Sequence, residues 1–312
     1  MKQPVRIGTR DSQLAVWQAT LVKDLLESHG ISSELIYIKS DGDLDLITPL
    51  YEIGVQGIFT KTLDAALLAD RIDLAVHSMK DVPVILARGI RQAAILKRAS
   101  YKDILIYKTS PNFIENTLES AVIATSSVRR KAQWLHRYPN HHIVNLRGNI
   151  NTRLNKVSNG SWQGAIFAAA GVERIHLRPQ CSIDLDWMLP APAQGAIMVV
   201  CREHDRSLDD VYNGINDVET AHCVRIERDF LKELMGGCST PISALAQKVN
   251  YKINFKGNIG SPDGKELIEV EANFVEDNLE AGRLAAKEIL KNKTARELIY
   301  NLKNEQKEDT NP

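Results

Sequence analysis

Short apolar segments with the length of buried strands alternate with helical patterns over most of the chain. The strand segments are Val5–Thr9, Leu35–Lys39, Ile72–His77, Ile104–Lys108, Ala121–Ala124, Ile143–Leu146 and Gly164–Ala169. Between them, apolar residues recur at helical spacing, as over Lys61–Leu68, Val128–Arg137 and Asn149–Val157. A first helix would be capped by Asp11 and run to about Ser28, with Gly30 as its stop. This alternation predicts an α/β fold built on parallel sheets.

The last third of the chain has a different pattern. Val218–Leu234 predicts a long helix. Val249–Lys256 and Leu267–Phe274 then alternate apolar and polar residues on either side of a Ser-Pro-Asp-Gly turn, which predicts a β-hairpin. Glu280–Lys291 predicts an amphipathic helix, and the polar tail from about residue 303 is expected to be disordered.

The overall charge of the chain is balanced, with 39 basic and 39 acidic residues among 312. That balance gives no reason to expect attraction to nucleic acid or to a membrane surface. The N-terminal segment has no apolar run of signal-peptide length, and no stretch is long enough to span a bilayer. The cysteines have no CxxC spacing and are too few for a disulfide framework. We therefore expect a soluble, cytoplasmic protein.

Arginines collect at the predicted strand ends in the middle of the chain. They are Arg129, Arg130, Arg147, Arg153 and Arg174. Ligands of open α/β sheets bind at the carboxyl ends of strands, and hydroxyls at a helix start, here Thr125 and Ser127, add to an anion site. A single arginine is more often a solvated surface residue, but repetition at strand ends favours a site for a polyanion. The pattern does not distinguish phosphate from carboxylate.

The N-terminal third adds polar residues at corresponding places. Arg10 and Ser12 follow the first strand, and Lys80 and Asp81 follow the strand that ends near His77. Asp81 would stabilise a cation or move a proton, or it would merely cap a turn, and its spacing alone leaves both readings open.

Cys238 follows two glycines, which leave its thiol uncrowded. A thiolate is a strong nucleophile near neutral pH, although a lone cysteine is usually structural. The chain has no P-loop, no dinucleotide-binding glycine motif, no HExxH and no histidine spacing typical of a metal site.

Together these segments resemble the porphobilinogen deaminase family over nearly the whole chain. The matching strings, in chain order, are RIGTRDSQLAVWQA, GIFTKTLDAALL, DLAVHSMKDVP, IATSSVRRKAQ, NLRGNINTRL, AAAGVERI, LPAPAQGAI and ELMGGCSTPI. The resemblance implies a usually monomeric protein with two lobes like those of periplasmic binding proteins and a smaller α+β C-terminal domain. Domain one would cover residues 1–98 and 194–216, domain two 99–193 and domain three 217–312.

The resemblance also implies a reaction. Members of the family join four porphobilinogen molecules head to tail, with loss of ammonia, and release hydroxymethylbilane by hydrolysis for haem biosynthesis. The chain grows on a dipyrromethane cofactor bonded to a cysteine as a thioether, which would be Cys238. Asp81 matches the catalytic aspartate, which stabilises positive charge on the pyrrole nitrogen. Every pyrrole carries two carboxylates, which accounts for the arginines.

Further roles are carried over by position. Cofactor contacts match Lys80, Asp81, Ser78, Thr125, Ser127, Arg129, Arg130, Arg147 and Arg153. Substrate contacts match Arg10, Ser12, Phe59, Arg147, Arg153, Arg174 and Gln194. No metal is implied. The chain departs from the family at Gln56, which replaces a loop lysine, at Ala124, where glycine is common, and over Lys97–Asp103, which lacks an acidic-proline pattern.

Two other functions fit parts of the pattern. A two-lobed polycarboxylate-binding protein without chemistry would explain the arginines, but it would leave Cys238 without a role. A cysteine hydrolase or transferase of another class needs a base beside the thiol, and the sequence offers none nearby.

Overall fold

The computed structural model describes residues 3–39, 60–115, 118–234 and 240–308. The strands are β1 Val5–Thr9, β2 Ser33–Tyr37, β3 Leu74–Ser78, β4 Ile90–Ile95, β5 Asp103–Tyr107, β6 Val122–Ala124, β7 His142–Val144, β8 Gly164–Ala168, β9 Ser182–Asp184, β10 Ile197–Arg202, β11 Ile242–Val249, β12 Lys252–Gly260 and β13 Leu267–Val275. The helices are α1 Gln13–Ser28, α2 Lys61–Leu68, α3 Val128–Arg137, α4 Ile150–Asn159, α5 Ala169–Arg174, α6 Asp209–Ile215, α7 Val218–Glu233, α8 Ala281–Ile289 and α9 Lys293–Glu308.

Two α/β lobes share one sheet topology. The sheet of lobe one has the order β2-β1-β3-β10-β4, and that of lobe two has the order β7-β6-β8-β5-β9. In each sheet the first three strands in that order are parallel. The fourth strand is antiparallel to both of its neighbours. The α/β class is as expected, but the expectation of purely parallel sheets is wrong for β10 and β5.

The antiparallel strands are the ones that the chain enters after crossing between lobes. β5 begins at Asp103, which lies opposite Ala168 at the end of β8. β10 begins at Ile197, which lies opposite Ser78 at the end of β3. The chain therefore enters each sheet at the edge where its parallel strands end, so it runs back against them.

The two crossing segments are hydrogen-bonded to each other. The Leu96 amide donates to the Ile197 carbonyl at 3.0 Å, and the Ala99 amide donates to the Gly195 carbonyl at 3.1 Å. Gly195 has a φ of 88°, and a Cβ there would lie 2.6 Å from the Ser100 carbonyl oxygen. Only glycine allows the two segments to approach this closely.

Polar side chains cap the helices that follow the strands. Ser12, rather than the expected Asp11, caps α1 by accepting from the Ala15 amide at 3.4 Å. Ser127 caps α3, whose bounds are those predicted, and Asn149 caps α4. A serine at the cap satisfies an amide that has no partner within the helix.

The third domain packs α7 and α8 against the sheet β11-β12-β13, and Phe230 and Phe255 meet in its core at 5.0 Å between ring centroids. The predicted hairpin is present as β12 and β13, but β11 was not predicted. Its first half is apolar and buried without the alternation that marks a strand with one wet face.

The expected disorder from about residue 303 is wrong as far as residue 308. This segment continues α9, since its Glu, Gln and Lys residues are good helix formers. Residues 309–312 lie outside the described part. Among the described helices, none is long and apolar enough to cross a membrane.

Candidate active site

The end of β3 leads directly into a 3-10 turn, Met79–Asp81, at the carboxyl ends of the parallel strands of lobe one. The Met79 amide donates to the Ala196 carbonyl at 3.0 Å, and the Val82 amide donates to the Met79 carbonyl at 3.1 Å. Met79 and Val82 are buried in the core, whereas Lys80 and Asp81 keep partly exposed side chains. The turn is thus anchored by its apolar residues and presents its two charged ones.

The carboxylate of Asp81 has no hydrogen bond or ion pair with any described residue. Burial lowers the pKa of Lys80 in the same turn and that of Arg153 in lobe two, and the charge of Asp81 partly opposes both shifts. Asp81 therefore lies within electrostatic reach of a lysine in lobe one and an arginine in lobe two, with its acceptor oxygens still available. Such a carboxylate suits a cation that develops during a reaction.

Lys80 is held by Gln194, whose Oε1 accepts from Lys80 Nζ at 3.2 Å. Burial lowers the pKa of Lys80 to about 8, and the charges of Arg130 and Arg129 act in the same direction. The charges of Asp81 and Asp103 oppose that shift. A small change in bound anions can therefore change the charge of this lysine near neutral pH.

Asp103 is the most consequential residue that the sequence did not identify as part of the site. It is fully buried at the start of β5 and accepts from Arg129 Nη2 at 2.7 Å and from Arg130 Nη2 at 2.7 Å. Gln194 Nε2 also donates to it at 3.0 Å. Burial alone would raise the pKa of Asp103, but the two arginines hold it well below its ordinary value. One signal was available, since Asp103 is a charged residue beside the apolar strand pattern Ile104–Lys108.

Arg129 and Arg130 are consequently buried and partly used within the protein. Arg129 also donates to the Leu189 carbonyl at 2.6 Å, and Arg130 donates to the Ile166 carbonyl at 2.9 Å. The Nε of Arg129 is buried without a hydrogen-bond partner among the described residues. Direct contact of these two arginines with the cofactor remains a prediction.

Arg153 and Arg147 form the positive part of lobe two. Arg153 donates from Nε to the Gly148 carbonyl at 2.7 Å and forms no ion pair with a described carboxylate. Burial lowers the pKa of Arg153 to about 10, and the charges of Arg130 and Arg147 add to the effect. Clustered cations in a partly buried place are stabilised by bound anions. This donor set fits the carboxylates of a dipyrromethane.

The hydroxyls of the predicted site already have partners in the protein. Ser12 and Ser127 cap helices, and Thr125 Oγ1 accepts from the Ser127 amide at 3.2 Å. Ser78 Oγ accepts from Gln18 Nε2 at 2.9 Å. These side chains shape the strand ends, and their contacts with ligands are not tested by this geometry.

Arg10 lies near buried His77, at the end of the first strand. Burial, together with the charge of Arg10, lowers the pKa of His77 to about 4, so this imidazole is neutral at physiological pH. Arg10 thus places a positive charge beside His77, near the ends of β1 and β3 in lobe one.

Arg174 joins the two lobes. Its Nη2 donates to the Gly195 carbonyl at 2.7 Å, and its guanidinium lies 5.6 Å from the centre of the Trp17 ring in lobe one. Burial lowers the pKa of Arg174 to about 10. These contacts give Arg174 a role at the crossing, and its predicted contact with substrate stays a prediction.

The third domain is attached to the crossing segments through Glu227 of α7. This buried carboxylate accepts from Arg98 Nη1 at 2.6 Å, from the Ala193 amide at 2.7 Å and from the Ala246 amide at 2.8 Å. Phe59, Gln56 and Cys238 lie outside the described residues. Helix α7 ends at Glu233, a short distance before Cys238 in the chain.

Two family models match the chain. One, described as porphobilinogen deaminase, dipyromethane cofactor binding domain, matches residues 5–210. The other, described as porphobilinogen deaminase, C-terminal domain, matches residues 221–291. The chain belongs to the porphobilinogen deaminase family. It is therefore a transferase, a hydroxymethylbilane synthase that binds a dipyrromethane cofactor and builds hydroxymethylbilane from porphobilinogen.

Several solved structures of low sequence identity match about two thirds of the chain. A substrate-binding protein of an amino acid ABC transporter is 13% identical, with 68% of this chain and 91% of that chain covered and a TM-score of 0.37. The periplasmic VFT2 domain of BvgS from Bordetella pertussis is 13% identical, with 70% and 90% covered and a TM-score of 0.42. The second substrate-binding domain of a putative amino acid ABC transporter from Streptococcus pneumoniae is 11% identical, with 67% and 90% covered and a TM-score of 0.44.

Proposed function

We propose that Asp81 is the catalytic carboxylate of this deaminase. The observation that carries the proposal is the position of Asp81, which is partly exposed on an anchored turn, unpaired among the described residues, and within electrostatic reach of Arg153 in the other lobe. A carboxylate in a cleft of cations does not favour an anionic substrate. The carboxylate of Asp81 would instead stabilise a positively charged group.

Such a positively charged group forms in the substrate as it loses ammonia. Positive charge then develops on the pyrrole nitrogen, and a fixed carboxylate stabilises it. Because this charge appears only on the way to the transition state, the interaction raises kcat more than it improves substrate affinity.

The cations of lobe two bind the carboxylates of the growing chain. Arg147 and Arg153 are the principal groups, while Arg129 and Arg130 present donors left over from Asp103. Lys80, positioned by Gln194, contributes from lobe one, together with Arg10. Arginine is suited to this task because its planar fork binds carboxylates bidentately.

Cys238 carries the dipyrromethane as a thioether. When bound, the cofactor supplies the free pyrrole carbon onto which the first substrate adds. In the sequence, Cys238 lies between Glu233, where α7 ends, and Thr240, so the proposal attaches the cofactor to the third domain. The enzyme acts as a cytoplasmic monomer and has no nucleic-acid or membrane partner.

Intact mass spectrometry of the purified protein tests the cofactor assignment. The wild-type chain should exceed its sequence mass by one dipyrromethane and give a red colour with an acidic aldehyde dye. Cys238→Ser should lose both signals, and Cys181→Ser, which changes an exposed thiol, should keep them. An unmodified wild-type protein with full activity would refute the assignment.

A further inference from the structure

Arg228 of α7 is hydrogen-bonded to the backbone of the turn that carries Asp81. Its Nη1 donates to the Val82 carbonyl at 2.9 Å and, more weakly, to the Met79 carbonyl at 3.4 Å. Its Nη2 donates to the Pro83 carbonyl at 2.5 Å. The guanidinium therefore holds carbonyls on both sides of Asp81, while the side chain of Asp81 forms no hydrogen bond or ion pair with a described residue.

Arg228 brings a positive charge to this turn, although hydrogen bonds to carbonyls do not require a charged donor. Arg228 is partly buried and forms no ion pair with a described carboxylate, and burial lowers its pKa to about 10. Neighbouring Glu227, by contrast, is paired with Arg98. Burying a guanidinium that has only carbonyl partners costs desolvation free energy. Such a cost is accepted where the position of the bonded backbone matters for function.

Apolar side chains also join α7 and the third domain to the turn that carries Asp81. Val224 of α7 belongs to the same apolar cluster as Met79 and Val82, and Val84 packs against the core of the third domain. The opposite side of the turn is fixed by the bond from the Met79 amide to the Ala196 carbonyl. The turn is therefore held between β10 and α7.

We propose that Arg228 is a positioning residue that sets the place of Asp81 relative to the ligand carried by the third domain. Helix α7, which carries Arg228, ends at Glu233, five residues before Cys238 in the sequence. The proposal rests on the catalytic role proposed for Asp81. A fork with two terminal nitrogens spans the three carbonyls, whereas a lysine ammonium can reach only some of them.

The first test compares Arg228→Met, Arg228→Lys and the control Arg225→Met in full-length holoenzyme. Arg225 lies on the same helix, is exposed, and is paired with Asp229. We expect Arg228→Met to lower kcat by roughly 100-fold, as for a small misplacement of a catalytic group, with KM nearly unchanged. Arg228→Lys should recover part of kcat, and Arg225→Met should resemble wild type. Should Arg228→Met not fold, Arg228→Lys and Arg228→Gln provide the same comparison.

A second readout does not depend on activity. Amide hydrogen exchange in the segment 79–86 should become faster in Arg228→Met, while exchange in β3 and in the core of α7 stays as in wild type. Intact mass should show the cofactor still attached. Unchanged exchange in the turn, or exchange that rises throughout the third domain, would show that Arg228 only stabilises the fold and would overturn the proposal.

A double-mutant cycle separates this proposal from the one on Asp81. If Arg228 acts through Asp81, kcat of Arg228→Met/Asp81→Asn should equal that of Asp81→Asn alone. Additive losses would overturn the positioning role while leaving the role of Asp81 intact. Wild-type kcat in Asp81→Asn alone would instead overturn the catalytic role, and with it the proposal that Arg228 serves catalysis.

Discussion

The two lobes have the same strand order but differ at the end of the third strand. In lobe one, β3 runs into Lys80 and Asp81. In lobe two, the equivalent strand β8 runs into α5, which begins with two alanines and a glycine and has no charged residue before Glu173. The shared topology brings both strand ends to the cleft, but only lobe one uses this position for a carboxylate.

The ends of β1 and β6, the strands next to β3 and β8, differ in the opposite way, because here the helix of lobe two carries the charged residues. Both lead to a serine-capped helix, α1 after Ser12 and α3 after Ser127. The first turn of α3 contains Arg129 and Arg130, whereas that of α1 contains no charged residue. One backbone plan thus carries arginines after β6 in lobe two and a carboxylate after β3 in lobe one.

The largest effect, on the free energy of unfolding, should come from Asp103, the carboxylate that is paired with arginines within lobe two. Asp103→Asn leaves Arg129 and Arg130 buried without a counter-charge, which typically costs about 3–5 kcal/mol of unfolding free energy. Urea denaturation should show this loss. Asp186→Asn, which alters an exposed carboxylate of the same lobe, should remain within about 0.5 kcal/mol of wild type. Equal stability of the two variants would mean that the arginines do not depend on Asp103.

Asp81→Asn should have the opposite profile. Because Asp81 has no hydrogen-bond or ion-pair partner in the described part, the free energy of unfolding should change little. By analogy with the loss of one oxyanion-hole donor, kcat should fall by about two to three orders of magnitude. Steady-state kinetics, after intact mass has confirmed the cofactor, provide the test, and Asp81→Glu should keep a fraction of activity. A loss of affinity alone would make Asp81 a turn residue.

These two carboxylates also show what could be predicted from the sequence. Asp81 follows an apolar strand within a family motif, so its place at a strand end was predictable. Asp103 was missed because its two partners lie more than twenty residues away and are recognisable only once β5 is paired with β8. The antiparallel direction of β5 and β10 was missed for a similar reason. The direction of each strand depends on where the chain re-enters a lobe, and local periodicity carries no such information.

Contacts to the backbone were the least predictable. Gln194 was assigned to ligand binding, yet its Nε2 donates to the Tyr101 carbonyl at 2.8 Å and to Asp103, so its Oε1 faces Lys80. Arg228 carried no motif at all. Side chains that bond to carbonyls of distant segments leave no spacing pattern, because every residue type offers the same carbonyl.

Arg153→Leu should have an intermediate effect, and it tests whether the cations of lobe two serve a ligand. Removing a hydrogen bond to a charged group typically costs ~1.5–3 kcal/mol, so the variant should accumulate as cofactor-free protein or stall at an early stage of elongation. Its stability should not fall, because Arg153 has no carboxylate partner in the described part. Arg178→Leu, which removes an arginine already paired with Glu173 and Asp184, is the control. Normal mass and turnover in Arg153→Leu would mark it as a surface charge.

The smallest effect should be on the titration of Lys80, whose pKa is affected by charged groups of both lobes. The pKa of Lys80 is lowered to about 8, mainly by burial and also by the arginines of lobe two, while the charge of Asp81 opposes the shift. Asp81→Asn should therefore shift this pKa downward, since it removes a charge that favours the ammonium form. Bound carboxylates act in the same direction as Asp81, so the pKa of Lys80 should be higher in the holoenzyme than in cofactor-free Cys238→Ser.

The rate of amine modification at Lys80, followed against pH by peptide mapping, reports the pKa of Lys80 in each protein. With Cys238→Ser as the starting point, adding Asp81→Asn should make Lys80 reactive at lower pH. An unchanged profile would mean that Asp81 and Lys80 do not share a site, and the division of charge between the lobes would then need a different account.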